Sequence, residues 1–475
     1  MRLGRMPLRL GCAAIVVMIL GAPDPAQAHA FAERYDLPLP LGFYLAGAGA
    51  AVALSFVGSF LLMRPGRAPL PVFDFALPPA IAALAGQAIR ALGIALLAAV
   101  VLTGLFGPQS PTQNFATVFI WVIWWVGLTL ASALVIDVFS PGNPFRTIAN
   151  WLDGRRDGPE RPLSSAWGWV PVAGLLAIGW FELVSDHSED PRAMVMLVGT
   201  YSVLLLAGAF WAGAGTWFAK ADPLTQLFAL LGRCAPLAVR PGRLRLRLPA
   251  SGLVGLEVSV PGAVFIICLI AMVLFDGLSE TPAWAGMLDW VTRSTTLRPW
   301  LLDLRGAGVD ILKLIRTAGL FGMALLCVLL YAGLIATMRA ACGRQAPARR
   351  LFTGFAASLL PIAVAYHLAH YVSYLALASQ LMLPILSDPM GWGWDLFGTA
   401  NHRVDIGVID AQSVWWIAAM ALIAGHALSV FVAHAEALRI MPDQRAAIRS
   451  QLPMMVFMVG LTSLSLWILS QPIVA

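Results

Sequence analysis

Charge is what this 475-residue chain has least of: Asp, Glu, Lys and Arg together make up 12% of it, against about 25% in a soluble domain. With 59% hydrophobic residues and a mean hydropathy of +0.79, that shortage excludes an ordinary soluble enzyme and points to a chain that crosses a membrane many times. Cysteine is also sparse. Five occur and none forms a CxxC pair, so neither a disulfide framework nor a thiolate zinc site is supported. No P-loop, GxSxG or HExxH stands in a fitting context. Met-rich copper runs are missing, since Met454, Met455 and Met458 read as packing in a terminal helix. No soluble domain and no internal repeat stands out.

What is present begins with "MRLGRMPLRLGCAAIVVMILGAPDPAQA". Arg2, Arg5 and Arg9 precede an apolar stretch too short to span a bilayer, and Ala26-Gln27-Ala28 is a small-x-small cleavage site. Residues 1–28 therefore read as a cleaved signal peptide. Cys12 leaves with it, and residues 29–475 form one integral-membrane helical domain beginning at His29. Apolar runs long enough to cross about 30 Å of hydrocarbon follow at about 41–63, 86–106, 115–139, 167–185, 193–218, 255–275, 310–338, 352–378, 411–434 and 452–472. The fold class is all-α, a polytopic bundle of about ten transmembrane helices.

The net charge of +6 then reads as topology, with no call for nucleic acid. With the mature N-terminus outside, one set of connections holds Arg64, Arg146, Arg155, Arg156, Lys220, Arg240, Arg243, Arg245, Arg247, Arg339, Arg350 and their basic neighbours. The other set holds only Arg34, Arg192, Arg293, Arg298, Arg305 and Arg403. Basic residues collect on cytoplasmic loops, so both termini are expected in the periplasm of a bacterial inner membrane. Two periplasmic segments, from Asp276 and from Ser387, are rich in Trp, Gly, Asp and Pro, which suits ordered interfacial loops. Leu224–Leu231 is expected to be a short amphipathic helix on the cytoplasmic surface.

Polarity inside the spans concentrates in "AYHLAHYVSY", Ala365 to Tyr374. His367, His370, Tyr371 and Tyr374 follow i, i+3, i+4, i+7 and share one helix face. Such a stripe normally faces the bundle interior or a wet cavity. HxxH can present two imidazoles to one divalent metal, zinc or copper. The alternative is a pair of histidines hydrogen-bonded to neighbouring helices. His426, near mid-membrane in the ninth span, is the best third ligand. His434 lies about 12 Å further along the same axis and, with Glu436, is expected at a solvated helix end. Glu182 lies near the outer end of the fourth span. Asp137 is expected to pair with Arg146 or cap a helix, and Asp276 either caps a helix or faces an outer cavity. Cleavage before His29 would create an amine–imidazole chelate, a separate candidate copper site.

Several segments together resemble a family of bacterial multi-pass membrane proteins known as fenitrothion hydrolases. They are "DLPLPLGFYL" from Asp36, "GLFGPQSPTQN" from Gly104, "FIWVIWWVGL" from Phe119, "GNPFRTI" from Gly142, "FDGLSETPAW" from Phe275 and "GHALSVFVAH" from Gly425. The likeness spans the mature chain. It implies hydrolysis of a phosphorothioate triester at its aryl ester bond, with a small apolar substrate drawn from the membrane lipid. It transfers no catalytic residue. The competing classes are a transporter or channel, in which the same histidines relay protons or bind an ion, and a copper-handling protein centred on His29.

Overall fold

The computed structural model describes residues 40–63, 72–153 and 160–471. The signal stretch and His29 lie outside them. Ten helices are long and apolar enough to cross a membrane. They are α1 (Leu41–Leu62), α2 (Pro79–Phe106), α3 (Phe115–Leu134), α5 (Val170–Leu183, led in by a 3-10 turn from Ser165) and α6 (Pro191–Ala212). The rest are α9 (Val260–Ser279), α12 (Ile311–Ala341), α13 (Ala348–Ser387, with two 3-10 turns), α14 (Ala411–Ile440) and α15 (Gln444–Leu469). Shorter helices α4 (Pro144–Asp153), α7 (Ala214–Lys220), α8 (Pro223–Cys234), α10 (Pro282–Arg293) and α11 (Arg298–Gly306) fill the connections.

The starts of many helices are written in the sequence. Asp190, Asp222, Ser259, Thr281, Asp310, Asp410 and Asp443 each accept a hydrogen bond from a backbone N–H of the first turn. That contact satisfies a donor the helix cannot use itself. Proline stands in the first turn after four of these caps, where its missing N–H costs nothing.

Position in the bundle follows burial. Of the most apolar stretch of α13, 78% is buried, against 17% in α2, so α13 is central and α2 peripheral. α13 packs along α14, which also packs on α1 and α15, while α9 lies against α12, α5 and α13. The α13–α14 contact is close because of Gly425: a Cβ there would sit 2.3 Å from the Ala365 Cβ and 2.7 Å from the Pro361 carbonyl oxygen. Within α3, residues Phe119–Leu128 are π-helical, a widened turn frequent at functional sites.

One connection departs from the expected surface helix. After α6 the chain turns at Gly213 (φ 92°) and α7 runs back along α6, so that a Cβ on Gly208 would strike the Trp217 ring at 2.0 Å. The tip of the hairpin, Asp222, accepts a hydrogen bond from the Tyr201 hydroxyl, about 16 Å back from the end of α6. Pro223 then meets Gly174 of α5, and α8 buries Leu224, Leu227, Phe228 and Leu231. Leu224–Leu231 is thus the descending arm of a re-entrant hairpin. Its apolar face finds protein, which outweighs what a membrane surface would offer.

At the same end, β1 (Val72–Ala76), β3 (Arg243–Arg247) and β2 (Leu237–Arg240) form an antiparallel sheet with β3 in the middle. Phe73 pairs with Leu246 and Phe75 with Leu244, while Asp74 pairs with Arg245 on the other face. We call this the sheet end. The opposite, loop end carries α10, α11 and the segment 388–410.

Candidate functional site

The stripe on α13 meets α9 one turn before that helix ends at the loop end. Asp276, 9% exposed, receives two groups on one carboxylate oxygen: His370 Nε2 lies 3.0 Å from Oδ2, and the Tyr371 hydroxyl donates to the same atom. Glu280 follows one turn on, at the C-terminal cap of α9. Single ligand atoms of Asp276, Glu280 and His370 all lie within 4.8 Å of one another. The Glu280 side chain is exposed, yet the protein packed around its carboxyl raises it above the usual carboxylate range. His370 opposes that rise and Asp276 adds to it.

Helix approach here depends on Gly277. A Cβ on it would lie 2.6 Å from the Tyr366 hydroxyl, 3.0 Å from Ile468 and 3.6 Å from His370 Nδ1. Tyr366 stacks on His370 with ring centroids 6.2 Å apart, and its buried hydroxyl has no hydrogen-bond partner. Two carboxylate oxygens, one imidazole nitrogen and an unsatisfied hydroxyl beside them fit a divalent cation. Catalytic zinc sites use the same ligand types. A cation would take the place of the proton shared by His370 and Asp276.

Deeper in the bundle a cavity of about 40 Å3 is lined by Trp125, Thr129, Glu182, Asp276, His367 and Tyr371 among others. This is room for a few waters at most. The buried His367 Nε2 and the Thr129 hydroxyl have no hydrogen-bond partner. Glu182 lines the same cavity beside Trp125. Asp276 and Tyr371 line this cavity as well as holding His370, so the inner and outer groups meet at one pair of residues.

The structure therefore brings His370, Tyr371 and Asp276 into direct contact and sets His367 and Glu182 around the adjoining cavity. Tyr374 touches the Tyr371 ring at 6.2 Å but is 42% exposed. His426 stands apart. Gly425 sets it at the level of Pro361 and Ala365, toward the sheet end from His367, and its Nδ1 lies 2.8 Å from the Leu422 carbonyl of its own helix. His434 and Glu436 are not a solvated end. His434 is fully buried against Phe60, and Glu436 accepts the Gly255 N–H at 3.1 Å. Asp137 caps a turn, accepting the Ser140 N–H at 3.0 Å.

Three residues escaped the reading of the sequence. Glu280 was signalled by its spacing, one helical turn after Asp276 at the end of an apolar run. Tyr366 was masked by lying off the histidine face, and Trp125 by standing among other tryptophans. The chain matches no protein-family model, no curated protein and no solved structure.

Proposed function

We propose that this integral membrane protein is a metal-assisted hydrolase of phosphate or phosphorothioate triesters, held in a bacterial inner membrane with its loop end in the periplasm. The observation that carries the reading is the convergence of Asp276, Glu280 and His370 ligand atoms within 4.8 Å, beside a polar cavity that Asp276 also lines. The sequence resemblance supplies the substrate class, and the charge asymmetry of the loops supplies the sidedness. A divalent ion bound there supplies hydroxide near neutral pH and polarises the phosphoryl oxygen or sulfur.

The chain's own groups then have separate work. Asp276 holds the Tyr371 hydroxyl by accepting from it and would share the ion with His370, whose Nε2 lies 3.0 Å from the same oxygen. Glu280, one turn outward, guards the entrance and adds the second carboxylate. Hydrolysis forms a bond from the water oxygen to phosphorus and breaks the phosphorus–aryloxy bond, and the departing aryl oxygen must gain a proton. The Tyr371 hydroxyl faces the cavity from which that proton can be delivered.

A proton-coupled transporter is the second reading, favoured by one further observation. The re-entrant α7–α8 hairpin places a helix N-terminus inside the bundle, a device that transporters use to bind substrate or ion. The two part in detergent. Purified, zinc-loaded protein should release an aryl alcohol from a triester without any gradient, and Asp276→Asn and His370→Ala should each lower that rate by at least about 100-fold. Protein inert in detergent that moves a solute only in sealed vesicles would overturn the hydrolase in favour of transport.

A further inference from the structure

A larger cavity lies beside the polar one and has the opposite character. About 490 Å3 in volume, it sits among α2, the π-helical part of α3 and α6, with Leu92, Leu96, Ile120, Trp124 and Val198 in its walls. No carboxylate, guanidinium, amine or imidazole lines it. The tyrosine hydroxyl of Tyr201, at its sheet-end side, is already committed to Asp222. Its size falls within the range of about 300–1,000 Å3 that small ligands occupy. α2, which closes one side, is the most exposed of the ten long helices, so hydrocarbon lies directly behind it.

Trp125 belongs to both cavities. It lines the apolar one together with Trp121 and Trp124, and it lines the polar one together with Glu182, Asp276 and His367. Its side chain is common to both linings and so stands in the wall between them. The two chambers therefore share a single side-chain partition, one side wholly apolar and the other carrying the titratable groups. A purely polar ligand gains nothing from the first chamber, and a purely apolar one leaves the second unused.

We infer that the apolar cavity binds the hydrocarbon chain of a neutral amphiphile that enters from the bilayer and presents its polar group, past Trp125, to the Asp276–His367 cavity. This rests on the site proposed above for the polar end, and it names the substrate class of that site as lipid-like. A charged chain is excluded by the lining. A short, water-soluble ester would leave the apolar chamber unfilled and would bind more weakly for every methylene it lacks.

The experiment uses the full-length protein in lipid nanodiscs and a long-chain dialkyl aryl phosphate carrying a diazirine near the end of one chain. After irradiation, adducts are mapped by mass spectrometry, a readout that requires no turnover. Adducts are expected on Leu96 and Ile120. Cavity-filling variants from opposite walls, Leu92→Phe and Ala131→Phe, should each lower them by about tenfold, the discrimination a filled apolar pocket gives. Labelling of the lipid-facing Leu61, 70% exposed on α1, should not change. Adducts confined to surface residues such as Leu61 and Leu204, or cavity adducts that both variants leave intact, would overturn the inference. Cavity labelling without hydrolysis would remove the proposed enzyme and leave the chain site standing, whereas hydrolysis without cavity labelling would remove the chain site alone.

Discussion

Asp276 concentrates the consequences of the site in one carboxylate, since its Oδ2 serves both His370 and Tyr371. The two histidines of the HxxH stripe are not equivalent. His370 reaches the carboxylates, while His367 lines the inner cavity. The metal centre proposed above predicts that His370→Ala releases most of the divalent metal loaded into purified protein, and that His367→Ala keeps it while slowing the proposed hydrolysis. Elemental analysis of the two variants beside wild type decides it. Equal metal loss in both would mean that HxxH ligates as a pair, and retention in both would remove the metal centre. The histidine face was legible because helical spacing alone aligns His367, His370 and Tyr371. Their partners were less so, because Asp276 lies 91 residues before His367 and no local pattern announces a contact between helices that far apart.

At the scale of elements, the long helices could be read from their apolar length and their Asp-Pro or Ser/Thr-led starts. The re-entrant hairpin could not. Its Lys220 and Arg233 look like any cytoplasmic loop, and only the tertiary fit of Asp222 to Tyr201 and of Pro223 to Gly174 shows that the segment folds inward. The π-helical turns of α3 are likewise set by packing of its tryptophans. Two consequences can be measured. Gly425→Ala should destabilise the protein by about 1–3 kcal/mol, because its Cβ would meet Ala365 and the Pro361 backbone, neither of which can swing away. Gly460→Ala, in α15 with nothing within 4 Å, should be neutral or slightly stabilising. Thermal melts in one detergent compare them directly, and equal shifts would contradict the close α13–α14 contact. The sheet responds to acid. Arg245 grips Asp74 through two bonds of 2.9 and 3.0 Å and holds its carboxyl below the usual range. A folded value below the unfolded one means the pair's contribution is complete above about pH 4 and is lost as pH falls through the lowered value. Amide-exchange protection in β1 and β3 should drop over that acid window in wild type and stay flat in Asp74→Asn.

For the whole molecule the open quantity is which end faces which compartment, and the site's meaning depends on it. Ten spans return the chain to the face from which it started, so α1 begins and α15 ends at the loop end. The sheet end carries Arg240, Arg243, Arg245 and Arg247 on two strands, while the loop end is built from Trp, Gly and Asp around residues 388–410. Holding clustered arginines on the cytoplasmic side of an energised membrane is the lower-energy arrangement. Glu280 and the mouth of the site would then open to the periplasm. Single cysteines test this without disturbing the fold. Phe397 is 69% exposed in the loop-end segment, and the Arg243 side chain is 65% exposed on the sheet. The described native cysteines give little background, because Cys234, Cys268 and Cys342 are buried and Cys327 is only partly exposed within α12. In intact cells with a permeabilised outer membrane, a membrane-impermeant maleimide should modify Phe397→Cys and spare Arg243→Cys. After detergent both should react. The reverse pattern in cells would place Asp276, Glu280 and His370 on the cytoplasmic side, and substrate would then have to arrive from within the cell.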